Sequence, residues 1–453
     1  MADQALVVAR VLFWICAAGV LMLPMRWAFF CFIVASHLDI TTLTFTSATA
    51  VGFENTTRIV GLPMVLLLRT GIESFKAFLW TTPQKIWIAL TAYAAIAAVW
   101  STFPLPALKM VVYLVAYFVL FGVFCAGWAQ EWLDIGIIQL SAWCALVLAV
   151  IQTFFLENFF GGPEERFTSF SSPQYFAAFL VALLAILMFC GERTFSNYAT
   201  CAALCLGIVV SGSRYVFVSA VALVVIASFQ VVSEEDGKLR WRANLWKLIP
   251  TLVAAGVVVI LLASITPTNR IDELIYATAD DQAGVSGVGD VGTFAWRLSI
   301  YADIFEKVEK RTAMELFAGS GTSSGASLML NHDPDQYDRE GIDANRVLHS
   351  EFLRALYEWG ILGFALLICF VIATSVGYVQ KIHAEGGGVA LAFAGALPSI
   401  VMGLAIENIL AGAASAGGVG ILLSMTYAWS GRQVQPLAEV EEELGADGTA
   451  LTA

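Results

Sequence analysis

Ala107-Leu-Lys-Met-Val-Val-Tyr-Leu-Val-Ala-Tyr-Phe-Val-Leu-Phe-Gly-Val-Phe-Cys-Ala-Gly-Trp128 is an almost unbroken apolar run. It carries one charge, Lys109, at its start. About 20 consecutive apolar residues in a helix cross a hydrocarbon core of about 30 Å. Outward from this run, comparable stretches lie at 5–23, 86–100, 135–156, 173–190, 196–212, 214–232, 248–266, 360–380, 388–410 and 412–430. Shorter apolar runs sit at 27–36 and 58–70. The pattern predicts an all-α, polytopic membrane bundle of about twelve transmembrane helices, with the count least defined near the start. If 27–36 is a half-helix or re-entrant piece, both termini fall on the cytoplasmic side.

Composition agrees. Of 453 residues, 59% are hydrophobic and 13% charged, against about 45–50% and about 25% in soluble domains. The start Met-Ala-Asp-Gln has no basic region, so the first helix is expected to be an anchor rather than a cleaved signal. The formal net charge of −12 argues against nucleic acid as a partner. The eight cysteines all fall in apolar runs, which implies packing rather than a disulfide framework. Cys201 and Cys205 share a helix face, but no histidine or acid accompanies them, so no metal is expected there.

Basic residues near short loops mark the cytoplasmic side. Lys238-Leu-Arg-Trp-Arg-Ala-Asn-Leu-Trp-Lys247 is the richest such linker, with Lys76, Lys85, Arg193 and Lys381 marking others. Alternating the spans from there sends 157–172, 211–214, the long polar stretch near 267–348 and the turn at 408–412 to the exported side. The division is therefore 1–266, transmembrane helices; 267–348, a large exported loop; 349–430, transmembrane helices; and 431–453, an acidic, disordered cytoplasmic tail. Within the loop, Phe294, Leu298, Tyr301 and Phe305 have helical apolar spacing, and Glu306–Lys310 adds an i, i+4 pair. This predicts an amphipathic helix lying on the membrane or capping a cavity. Gly284–Gly292 and Gly319-Ser-Gly-Thr-Ser-Ser-Gly325 read as irregular turns.

The exported side gathers the residues that can do chemistry. Arg166, Arg214 and Arg297 lie there, as do Arg346, His349 and Lys109. Arginine on that side runs against the positive-inside trend. Its rigid fork of donors suits a phosphate, and a lipid diphosphate at the membrane surface is the natural ligand. Each arginine also fits a plainer role: Arg214 a helix cap, Arg166 a partner of Glu164 or Glu165, Arg297 a partner of Asp290 or Asp303. Arg346 sits among acids, and Lys109 suits an interfacial anchor. Glu407 is a carboxylate at the exported end of a span, free to pair with one of the arginines or to act in the site. His349 is an imidazole at the membrane boundary, whose ordinary pKa lets it serve as a base near neutral pH. His37 and His383 lack such neighbours, and the metal-capable atoms around His332 lack ligand spacing. No phosphate-binding P-loop, nucleophile elbow or zinc-protease motif occurs.

Several motifs recur in a familiar order: Arg166-Phe-Thr168, Ser172-Pro-Gln174, Ser211-Gly-Ser-Arg-Tyr215, Trp296-Arg297, Gly319-Ser-Gly321 and His349-Ser-Glu-Phe-Leu-Arg-Ala-Leu-Tyr-Glu-Trp-Gly-Ile-Leu-Gly363. From about 90 to 430, the chain resembles the O-antigen ligase and O-antigen polymerase superfamily of bacterial inner-membrane glycosyltransferases. The His-Ser pair followed by Glu-Trp-Gly-Ile-Leu-Gly carries the resemblance best. It implies a GT-C-like helical fold with a large periplasmic loop. The donor it implies is a glycan on undecaprenyl diphosphate. The acceptor would be lipid A-core, another lipid-linked repeat or a protein hydroxyl, and no metal or other cofactor is needed. His349 takes the place of the family's catalytic histidine. Arg166, Arg214 and Arg297 take the places of its diphosphate-binding arginines; Lys109, Arg346 and Glu407 are accessory candidates. Ser350 stands where Asn is common, and Ser172-Pro-Gln departs from a usual Pro-Asn, leaving Gln174 unassigned. A transporter or flippase of a lipid-linked glycan is the alternative. It would place polar groups and interrupted helices near the bilayer midplane.

Overall fold

A computed structural model describes residues 2–38, 51–72, 75, 81–156, 168–170, 173–190, 194–211, 213, 219–220, 222–223, 229–233, 239–243, 293–328, 350–385, 401, 404 and 415–430. The helices in order are α1 (Ala2–Met22), α2 (Met25–His37), α3 (Val51–Thr56), α4 (Leu62–Thr70), α5 (Thr82–Ala97), α6 (Pro104–Ala129), α7 (Ile135–Phe155), α8 (Pro173–Cys190) and α9 (Phe195–Val210). They are followed by α10 (Thr293–Glu309), α11 (Ala313–Ala318), α12 (Glu351–Glu385) and α13 (Ala416–Ser430). A π-helical turn, Thr57–Gly61, joins α3 to α4.

Among the described residues, four segments are long and apolar enough to cross a membrane: Ala5–Met22, Pro104–Ala129, Ile135–Phe155 and Glu351–Gly377. The chain is a multi-pass membrane protein. The 13-residue α2 extends only about 20 Å, too short for a full span. The expected span at 248–266 lies outside the described residues, as does most of 388–410.

The span expected at 214–232 is corrected at its end. Phe229–Ser233 forms strand β1, paired antiparallel with β2, Leu239–Ala243, in the register Val231 opposite Trp241. The β-branched and aromatic residues of 229–232 satisfy hydropathy and strand preference alike. The described chain is thus helical apart from one two-stranded ribbon.

Helix ends follow local chemistry. Prolines occupy the first turns of α5 and α6, where no amide partner is lost. Asp134 caps α7 by accepting the Ile137 N–H at 2.7 Å and also pairs with Arg26 of α2 at 2.8 Å. Thr194 caps α9.

α6 and α8 form the centre: Leu114, Leu120, Val123 and Phe124 of α6 and the run Phe176–Leu187 of α8 are buried. α8 packs between α9 and α13, α13 lies against α6, and α5 lies along α12. In lipid, such helices are held by close packing and interhelical hydrogen bonds rather than by water exclusion. Three indoles supply those bonds: Trp87 Nε1 donates to Leu114 O at 2.9 Å, Trp128 Nε1 to Thr426 Oγ1 at 3.1 Å and Trp143 Nε1 to Thr200 Oγ1 at 3.0 Å.

The loop helix exists as α10, with Glu306 and Lys310 paired, and of the expected stripe Tyr301 packs against its buried cluster, while Phe305 does not. Ile300 and Ile304 are buried against Ala326, Leu328 and Tyr357, whereas Phe305 is 55% exposed. The helix packs on the start of α12, which selects the isoleucine face over the phenylalanine.

Candidate functional site at a broken helix

α12 begins beside His349 and breaks nine residues later. Ser350 is the residue before its first turn: its carbonyl accepts the Arg354 N–H at 2.9 Å, and its hydroxyl accepts the Leu353 N–H at 3.3 Å. Ser and Asn both serve well as N-caps. That shared capacity gives a physical reason why Ser can stand where Asn is common.

The break is at Gly360, with φ +62° and ψ −164°. A helix interrupted there leaves carbonyls of the preceding turn without intrahelical partners. Within a membrane protein those groups must be satisfied by the protein itself. Arg311 donates to Leu356 O at 3.3 Å and Tyr357 O at 2.8 Å. The Ser320 N–H donates to Tyr357 O at 3.1 Å, and the Gly321 N–H to Glu358 O at 2.9 Å. The Arg311 guanidinium also lies over the Tyr357 ring, 4.4 Å from its centroid.

The segment Gly319–Gly325 is therefore irregular, as expected, yet not loose. It is threaded into the gap. Gly319, at φ +76°, lies so close to the break that a Cβ there would meet Glu358 O at 2.3 Å; one on Gly360 would meet Phe317 O at 2.4 Å. Glycine is required at both positions by space and by backbone conformation.

A buried charge cluster holds the segment from the other side. Glu358 accepts the N–H groups of Ser323 at 2.7 Å and Gly325 at 3.3 Å. Arg354 Nε lies 3.3 Å from the same carboxylate, and Arg354 Nη1 lies 3.7 Å from Glu351. All three side chains are buried. Thr322 links the segment to α5 and to the break: its hydroxyl donates to Ala94 O at 2.6 Å and accepts from Trp359 Nε1 at 3.0 Å. The Ser101 hydroxyl donates to Thr322 O at 2.5 Å, so the α5–α6 junction sits at the same end of the bundle.

Tyr117 of α6 lines an apolar crevice with Trp87, Phe121, Phe370, Leu422 and the Gln84 amide.

His349, Arg166, Arg214, Arg346 and Glu407 lie outside the described residues, as does His332. Arg297 is placed by its backbone alone, in the first part of α10. Lys109 is exposed on α6, with its ammonium 5.9 Å from the Tyr113 ring centroid. Four residues were given no role from the sequence: Arg354, Glu358, Arg311 and His37. Two charges buried in an apolar run, Arg354 and Glu358 at i, i+4, were a usable signal. His37, given no neighbours from sequence, has one 132 positions away: its Nδ1 lies 2.7 Å from Ser169 Oγ.

A search of curated proteins found no match to the chain. Residues 199–368 match the protein-family model described as O-antigen ligase, a narrower stretch than the 90–430 over which motifs recur. The matched segment holds Arg214, Arg297, the Gly319–Gly325 segment, His349 and the broken helix. Over this segment the chain is similar to the O-antigen ligase family.

Proposed function

We propose that the protein is a glycosyltransferase of the bacterial inner membrane, with its site facing the periplasm. It moves a glycan from undecaprenyl diphosphate to an acceptor hydroxyl, as an O-antigen ligase or polymerase does. The observation that carries this reading is the family match across 199–368, which encloses both the imidazole of His349 and the helix that begins at the next residue but one.

In this reading the acceptor O–H attacks the anomeric carbon as the bond from that carbon to the diphosphate oxygen breaks. The electron pair leaves with undecaprenyl diphosphate. His349 takes the hydroxyl proton as general base. Arg166, Arg214 and Arg297 hold the diphosphate and stabilise its growing charge with fixed donors. A single displacement inverts the anomeric centre, and the arginines supply the positive charge without a metal. Lys109, Arg346 and Glu407 are accessory. The Gly319–Gly325 plug and the Glu358–Arg354 pair hold the start of α12, the helix that follows His349 in the chain.

One observation favours a second reading, a transporter of the same lipid-linked glycan: α12 is interrupted, as transport helices often are. The gap at Gly360, however, is filled by amides of the chain itself. Purified protein given labelled donor and acceptor separates the two. Covalent transfer of glycan supports the enzyme; movement of intact donor between leaflets without transfer supports the transporter. A ladder of lengthened repeats marks a polymerase, and capping of lipid A-core in one block marks a ligase.

A further inference from the structure

The turn that follows Arg166 is gripped by two side chains from distant helices. Thr168, Ser169 and Phe170 are fully buried. Phe170 has φ +48°, a left-handed backbone that a bulky residue adopts only when its surroundings impose it. Its N–H is taken by the side-chain oxygen of Gln152, in α7. Ser169 Oγ lies 2.7 Å from Nδ1 of His37, the last residue of α2.

The imidazole is itself locked by α8. Its centroid lies 4.2 Å from that of Phe179 and 6.2 Å from that of Phe176, both edge-on. His37 and Gln152 are each 1% exposed, and the Nε2 atom of each is buried with no hydrogen-bond partner. An unsatisfied buried polar atom costs stability. An apolar side chain would fill either place more favourably. What the two polar groups provide instead is one bond each to the 168–170 turn.

We propose that His37 and Gln152 are positioning residues. They fix the 168–170 turn, which follows Arg166 by two positions in the chain, and through it support binding of the donor diphosphate. This rests on the role given to Arg166 under the proposed function.

The test uses the full-length protein in lipid nanodiscs. It measures the Kd for a labelled polyprenyl diphosphate and the KM values for glycan donor and acceptor. His37→Leu and Ser169→Ala each remove the same contact, and Ser169→Ala keeps the fold should His37→Leu fail to. Each is expected to weaken diphosphate binding and raise the donor KM by up to about tenfold, the scale of one lost hydrogen bond. The acceptor KM should not move. His37→Asn, with an amide at the Nδ1 position, should restore most of the loss. Against an Arg166→Ala background, His37→Leu should cost nothing further, because both act through one diphosphate contact. Additive losses, equal effects on donor and acceptor, or wild-type binding by Arg166→Ala would overturn the positioning role. Coupled binding losses in a protein that transfers no glycan would uphold it and sink the enzymatic reading instead.

Discussion

Glu358 and Ser323, 35 positions apart, meet at 2.7 Å: the buried carboxylate accepts the backbone N–H. The carboxylate belongs to a helix about to break, and the amide belongs to the segment that fills the break. Glu358→Ala would leave the Arg354 charge buried without this partner and two amides unsatisfied. The expected cost is about 3–5 kcal/mol, with Glu358→Gln intermediate because it keeps one acceptor. Thermal unfolding in detergent, followed by tryptophan fluorescence, reads this directly. An unchanged Tm for Glu358→Ala would show that the carboxylate is not the clamp.

Gly360→Ala introduces both a strained φ and a collision with Phe317 O. The expected result is that Gly319–Gly325 leaves its seat. Ser324 is 3% exposed and its hydroxyl has no partner, so Ser324→Cys is a quiet probe. That cysteine should resist a water-soluble maleimide in the otherwise native chain and react once Gly360→Ala is added. Equal labelling in the two backgrounds would contradict the plug.

Ser350 is expected to act through its cap rather than through its hydroxyl chemistry. Ser350→Ala should destabilise the start of α12 by about 0.5–2 kcal/mol and slow transfer, whereas Ser350→Asn should keep both near native. Chemical denaturation together with transfer rates would check this. A Ser350→Asn protein as impaired as Ser350→Ala would contradict the capping role.

α11 should loosen in acid. Thr312 and Glu315 form a capping box. The N–H and hydroxyl of Thr312 hold the Glu315 carboxyl below its ordinary pKa. A depressed carboxylate contributes stability that is present above the unfolded pKa and lost as pH falls through the folded one. Amide hydrogen exchange of 315–318, corrected for intrinsic rate, should therefore be unchanged at neutral pH and faster in acid. Thr312→Val should abolish that dependence. Protection that is flat with pH in the native chain would rule the box out as a contributor.

Hydropathy located α6 and α7 to within a few residues because a long apolar run has one stable answer in lipid. It failed at 229–233, where valines and phenylalanine satisfy strand and helix equally. It also read 360–380 as an ordinary span, because a windowed average does not register one glycine breaking a helix. Glu358-Trp-Gly-Ile-Leu-Gly363 was legible as a motif, but its cause is a fit between two distant backbones. His37 shows the same limit: its partner lies 132 positions on, beyond any spacing rule.

The central claim is that His349 is the general base of glycan transfer. The direct measurement is single-turnover transfer from a labelled lipid-linked donor by purified native protein and by His349→Ala, both shown to be folded and to bind the donor diphosphate. General-base catalysis contributes about 10²–10⁴-fold. The account predicts a rate loss of that order with donor binding intact. Transfer by His349→Ala at the native rate would contradict it.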